Sequence, residues 1–272
     1  MYAHIKKFGL AIVTSILICF LFIKCTKIGS ISTLKTDGIE WFLSNESESE
    51  QKDLILISNI VSNSLYKKGI ETKDFNIDII LCNSTNEFLL KALVLDDKVQ
   101  AVTRKFWGNI IINKSSIKEN KMYGNNNKLS EIITHELAHI YMSEKLSNVK
   151  SILLETWKEE GFAEYISEHS TIGIEKGLSL FLTNKQSSTE NDEYNKILYF
   201  YFTSRLKTDF LLGYKKVPFD EFIDTDYEEE LLEEEIRTAL KNETYKFPSR
   251  TMELNKVGEW RTSQIHSRIF IY

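Results

Sequence analysis

The stretch His135-Glu136-Leu137-Ala138-His139, with Trp157-Lys158-Glu159-Glu160-Gly161-Phe162-Ala163-Glu164-Tyr165 after it, decides how the rest of the chain is read. A helix is predicted from about Leu129 to Leu146. At 3.6 residues per turn His135 and His139 share one face and can aim two imidazoles at one ion. Glu136 is rotated by about 100° from His135 and reaches a water on that ion without being a ligand. Two neutral nitrogens and a carboxylate placed as general base are what metal-assisted hydrolysis requires.

A second helix is predicted from about Val149 to Glu168. Glu160 and Glu164 are one turn apart on it, and a shared cation is one way to offset their repulsion. Gly161 and Ala163 are small enough to let this helix approach the histidine helix closely. A catalytic zinc takes three protein ligands and keeps a fourth position for water. The third ligand must come from elsewhere in the fold, because the next histidine, His169, lies beyond the short spacing of a third-histidine site.

Taken together, the two stretches resemble the gluzincin group of zinc peptidases, in which His-Glu-x-x-His is followed by a helix carrying Glu-Gly-x-Ala. The chain is similar to the core of the aminopeptidase N-like family over roughly residues 100–210. The resemblance implies a zincin-like α+β fold, with a small mixed sheet packed on the histidine helix and a mostly helical C-terminal half. It implies one Zn2+ per chain held by His135, His139 and Glu160, with Glu136 as general base and Glu164 supporting a ligand histidine. It further implies a tyrosine that steadies the oxyanion. Tyr194, in Tyr194-Asn195-Lys196, is the candidate, and Tyr199 and Tyr201 are rivals. The substrate is then a peptide or protein.

One departure narrows this. Aminopeptidase N-like enzymes carry Gly-x-Met-Glu-Asn before Trp-Gly and a strand, and its Glu binds the substrate's free amine. Here Thr103-Arg104-Lys105-Phe106 precede Trp107-Gly108, so there is no such Glu and two cations oppose an ammonium group. The expectation is therefore a peptidase and not an aminopeptidase. The strand after Trp107 is expected to be an edge able to pair with an extended peptide. Two alternatives stay open: a zinc aminopeptidase that recognises the amine differently, and a membrane-anchored zinc-binding regulatory or sensory protein with a degenerate peptidase fold.

The remaining sequence sets the context. The chain has 272 residues, 42% of them apolar, and a net charge of −5. Lysines and arginines are scattered among acids, which gives no basic stripe for nucleic acid. An apolar run from Phe8 to Ile23, flanked by Lys6, Lys7, Lys24 and Lys27, reads as an uncleaved signal-anchor within residues 1–27. His4 and the terminal amine favour the N-terminus inside, placing the main domain outside the cytoplasm. Residues 28–50 read as a polar linker, 51–246 as the metallopeptidase-like domain and 247–272 as an unassigned tail. Within the domain, helices are expected over Gln51–Lys68, Ser84–Leu95 and Tyr194–Leu206, and strands over Phe75–Leu81 and Trp107–Asn113. Pro218 is expected to open a helical stretch whose acidic segment, Tyr227 to Glu235, is a solvated face. Cys19, Cys25 and Cys82 form no disulfide framework or Cys-x-x-Cys site, and Cys82 reads as a small buried residue at a strand end. Oligomeric state is not encoded in any of these patterns.

Overall fold

The computed structural model describes residues 25–248, apart from 37, 45–47, 125–126, 170–171 and 184–192. The apolar run 8–23 and the tail from 249 onward lie outside the described residues. Among the described residues no helix is long and apolar enough to cross a membrane.

Five strands form one mixed sheet: β1 (Ile31–Thr36), β2 (Ile39–Leu43), β3 (Ile77–Leu81), β4 (Ala101–Arg104) and β5 (Asn109–Ile112). Their spatial order is β1-β2-β3-β5-β4. The central pairs β2–β3 and β3–β5 are parallel, and the outer pairs β1–β2 and β4–β5 are antiparallel. Side-chain alternation divides the apolar residues between two cores. Trp41, Ile79, Ile110 and Ala101 point to a large core that also holds Ile133 and Leu137. Phe42, Ile80, Ile111 and Val102 point to a smaller core on the other face, closed by Phe88 and Ala92.

Three sequence expectations are corrected. Residues 28–50 are not a linker, because Ile31–Leu43 fold into the β1–β2 hairpin. The strand after Trp107 is not an edge: β5 lies between β3 and β4, and Ile110, Ile111 and Ile112 are all buried. The edge on that side is β4, a short strand whose Val102 and Arg104 face one side of the sheet while Ala101 and Thr103 face the other. Third, the helix expected from Val149 to Glu168 is two helices. Leu154 and Glu155 are extended and separate them.

The helices are α1 (Glu48–Tyr66), α2 (Thr85–Ala92), α3 (Leu129–Lys145), α4 (Asn148–Leu153), α5 (Thr156–Ser167), α6 (Ile174–Thr183), α7 (Glu193–Thr208), α8 (Phe219–Asp224) and α9 (Glu229–Lys241). A π-helical turn, Asp209–Tyr214, continues α7, and Pro218 caps α8. Helices α1, α3 and α5 pack together on the large-core side of the sheet, and α2 covers the opposite face. The acidic face of α9 is more than a solvated surface, since Lys207 reaches Glu229 and Arg237 reaches Glu233 within it. Cys82, just past β3, is buried, and burial pushes its thiol pKa up to about 12.

The break before α5 lets that helix turn and lie between α3 and α7. Gly161, expected to ease the approach to the histidine helix, instead faces α7: a Cβ placed there would stand 2.4 Å from the Ser204 carbonyl oxygen. Only a residue without a side chain permits this contact between α5 and α7.

Candidate metal centre

A helix interior that is buried is ordinarily apolar, because an unpaired polar group there loses its water without compensation. Helix α3 departs from this at three contributors to one spot: His135, Glu136 and His139 are all buried. Each is answered by a group from a neighbouring element.

His135 Nε2 and His139 Nε2 lie 3.1 Å apart, with their rings edge to face. Glu160 Oε2, brought in by α5, is 3.4 Å from His135 Nε2 and 3.8 Å from His139 Nε2. The far ring nitrogens each meet a different carboxylate of the same helix. His139 Nδ1 is 3.1 Å from Glu159 Oε1, and His135 Nδ1 is 3.4 Å from Glu164 Oε1. Both Nδ1 atoms are buried and stand within ion-pair distance of a carboxylate without a well-aligned hydrogen bond; a ring proton placed at Nδ1 would leave Nε2 as a lone pair. Two imidazole lone pairs and a carboxylate oxygen then converge on one buried point. Such a convergence of acceptors is repulsive on its own and is relieved by a cation.

The spacing fits a small ion. Donor atoms bound at about 2.0–2.1 Å in a tetrahedron stand about 3.4 Å from one another. The three separations here, 3.1, 3.4 and 3.8 Å, bracket that value. Two imidazoles and one carboxylate are a donor set that suits zinc and leaves one position for water.

Around these residues lies a layer of buried charge. Burial alone would raise the Glu164 pKa, but His169 and His135 hold the carboxyl well below the usual range. His169 Nδ1 is 3.1 Å from Glu164 Oε2, and Arg205 of α7 donates to the His169 carbonyl at 2.8 Å. Glu159 is likewise held down against its burial, by His139 and by Lys105. Lys105, directly after β4, donates to the same Glu159 oxygen that faces His139.

Glu136 points toward the sheet edge. Its Oε2 accepts a hydrogen bond of 2.5 Å from the Thr103 hydroxyl on β4. The general-base candidate is thus tied to the edge strand β4. The two cations that precede Trp107 part ways: Arg104 turns from the centre, and Lys105 stays beside it. Arg104 donates from Nη2 to the Lys91 carbonyl on the opposite face of the sheet, at 2.7 Å. Lys105 is engaged with Glu159.

His135, His139, Glu160 and Glu164 are therefore brought together, and Glu136, on the same helix as the histidines, is held by Thr103. Tyr194 begins α7, and its side chain lies outside what is described. Tyr199 is not at the centre: burial raises its pKa, and the charges it feels are those of Glu233 and Arg237. The Tyr201 ring packs against Phe200. Sequence reasoning gives no role to Glu159, Thr103 or His169, and sees in Lys105 only a cation set against a free amine. Glu159 lies inside the quoted stretch, but spacing cannot say which of three nearby glutamates faces a histidine. Thr103 and Lys105 carry no local signal, since their role depends on β4 being the edge beside α3.

Searched against protein-family models and against curated proteins, the chain matches none.

Proposed function

We propose that this chain is a membrane-anchored, zinc-dependent peptidase of the gluzincin type, with a zincin-like fold. The supporting observation is the convergence of His135 Nε2, His139 Nε2 and Glu160 Oε2, each histidine backed at Nδ1 by its own carboxylate. These three residues would hold one zinc ion per chain. When bound, zinc lowers the pKa of a water toward about 7 and polarises a carbonyl oxygen.

The chain's own residues do the rest. Thr103 holds Oε2 of Glu136, which leaves the other oxygen to take a proton from the attacking water. The same carboxyl then delivers that proton to the leaving amine nitrogen. Glu159 and Glu164 keep the histidines in the tautomer that presents Nε2. The outer side of β4 offers main-chain donors and acceptors to an extended peptide beside Glu136. Tyr194 is the proposed oxyanion donor. The anchor at residues 8–23 would place this domain outside the cytoplasm.

The test is a cleavage screen of the full chain against a peptide library, with Glu136→Gln as control. Wild type is expected to cleave in the presence of zinc. The variant should retain zinc and lose about 10²–10⁴-fold in rate. Undiminished cleavage by Glu136→Gln would refute the assignment. Equal cleavage of peptides with blocked and free N-termini separates this reading from an aminopeptidase.

A further inference from the structure

The face of the sheet opposite the metal centre carries an apolar surface that the fold does not use. Helix α2 turns Phe88 and Ala92 inward to the smaller core. Outward it presents Leu90, followed by Leu93 and Leu95, which are 64%, 47% and 99% exposed. Leu93 ends the helix in the left-handed region, at φ 54°. That position favours glycine or asparagine, and a leucine there is strained. An exposed leucine kept in a strained conformation has no stability rationale.

The place where the chain enters the fold is next to this surface. The first described element, the turn Cys25–Lys27, packs on α2. Lys91, a buried residue of α2, donates from Nζ to Ser30 Oγ at 2.5 Å, and Ile28, two residues before Ser30, is 70% exposed. The apolar run ends at Ile23. Two residues of chain span at most about 7 Å. The polar layer on each side of a bilayer's hydrocarbon is itself about 5–7 Å deep. A run seated in the bilayer therefore leaves Cys25 no room to stand off from the lipid surface.

We propose that Ile28, Leu90, Leu93 and Leu95 rest in the interfacial layer of the bilayer. The domain then lies with α2 on the lipid and the metal centre, on the other face of the sheet, opening away from it. This rests on residues 8–23 being an anchor. Asp96 and Asp97 adjoin Lys98 at the edge of the patch, so the contact is made by apolar side chains and not by net charge.

The test uses the full chain with Cys19→Ser and Cys25→Ser, in vesicles of phosphatidylcholine and phosphatidylglycerol. Cys82 is buried and stays unlabelled. Single nitroxides are placed at Leu93→Cys, at Leu95→Cys and, as control, at Tyr66→Cys, which is exposed on the end of α1. Labels at 93 and 95 should relax several-fold more with lipid-soluble oxygen than with a water-soluble nickel chelate, and the label at 66 should do the reverse. Retention of the chain through alkaline extraction reports the anchor separately. Nickel-accessible labels at 93 and 95 in a retained chain overturn the proposal and leave the anchor standing. Labels shielded from both reagents also overturn it, because protein and not lipid then covers the patch. Extraction of the chain by alkali overturns both readings.

Discussion

Replacing Gly161 by alanine sets two effects of opposite sign against each other. In an ordinary helix interior the change is favourable by about 1 kcal/mol. Here the new Cβ would stand 2.4 Å from both the Ser204 carbonyl oxygen and the Thr208 hydroxyl, where ordinary contact begins at 3.4 Å. The Thr208 hydroxyl can rotate away. The Ser204 oxygen belongs to the α7 backbone and cannot, so α5 and α7 must part by about 1 Å. Overpacking of this kind costs about 3 kcal/mol, at the upper end of its usual range, and net destabilisation is about 2 kcal/mol. For a domain of this size that lowers Tm by about 4–8 °C. Glu160 is the adjacent residue, and metal sites tolerate ligand displacements of only about 0.2 Å. A movement of α5 should therefore weaken zinc binding about 10–100-fold. Thermal unfolding with a chelator present measures the first effect, and competition with a chromophoric chelator measures the second. An unchanged or higher Tm would refute the close helix contact. A lower Tm with unchanged zinc affinity would refute the link from that contact to Glu160.

Two further outcomes follow, one at the metal centre and one on the opposite face of the sheet. Glu159→Gln removes the carboxylate facing His139 Nδ1 and should weaken zinc binding about 10–100-fold, read by the same competition titration. Glu87 concerns stability and pH: burial opposes its ionisation, but Ser44, Lys91 and the Asn83 amide outweigh this and lower its pKa. A depressed carboxyl contributes stability above its unfolded pKa, about 4.3, and loses it as pH falls through the folded value. Glu87→Gln should thus flatten the acid limb of a Tm-against-pH curve, and an unaltered limb would contradict this.

What can be read from the sequence is what depends on local geometry. His135 and His139 share a face in any helix, and the placement of Glu136 is then fixed. Glu160 needs the family resemblance, because nothing local tells α5 to lie beside α3. The β1–β2 hairpin escapes a sequence reading although Asp37-Gly38 is a strong turn signal, because β1 is an edge strand with a polar outward face and reads as a linker. Gly38 itself adopts φ +72° and sits where a Cβ would meet the Thr72 carbonyl oxygen. The fully apolar Ile110-Ile111-Ile112 carries the mark of an interior strand covered on both faces, and the adjacent Trp-Gly pattern obscures it. The Thr103–Glu136 and Lys105–Glu159 contacts join residues far apart in sequence, 33 and 54 positions respectively, and no pattern in one chain reports them.

The central claim is that His135, His139 and Glu160 hold one metal ion, and elemental analysis tests it most directly. The purified full chain should carry zinc at a ratio near one per chain. Each of His135→Ala, His139→Ala and Glu160→Ala should lose it, while Glu136→Gln keeps it. Wild-type protein that stays metal-free after incubation with zinc, or a Glu160→Ala variant that binds as well as wild type, would contradict the account.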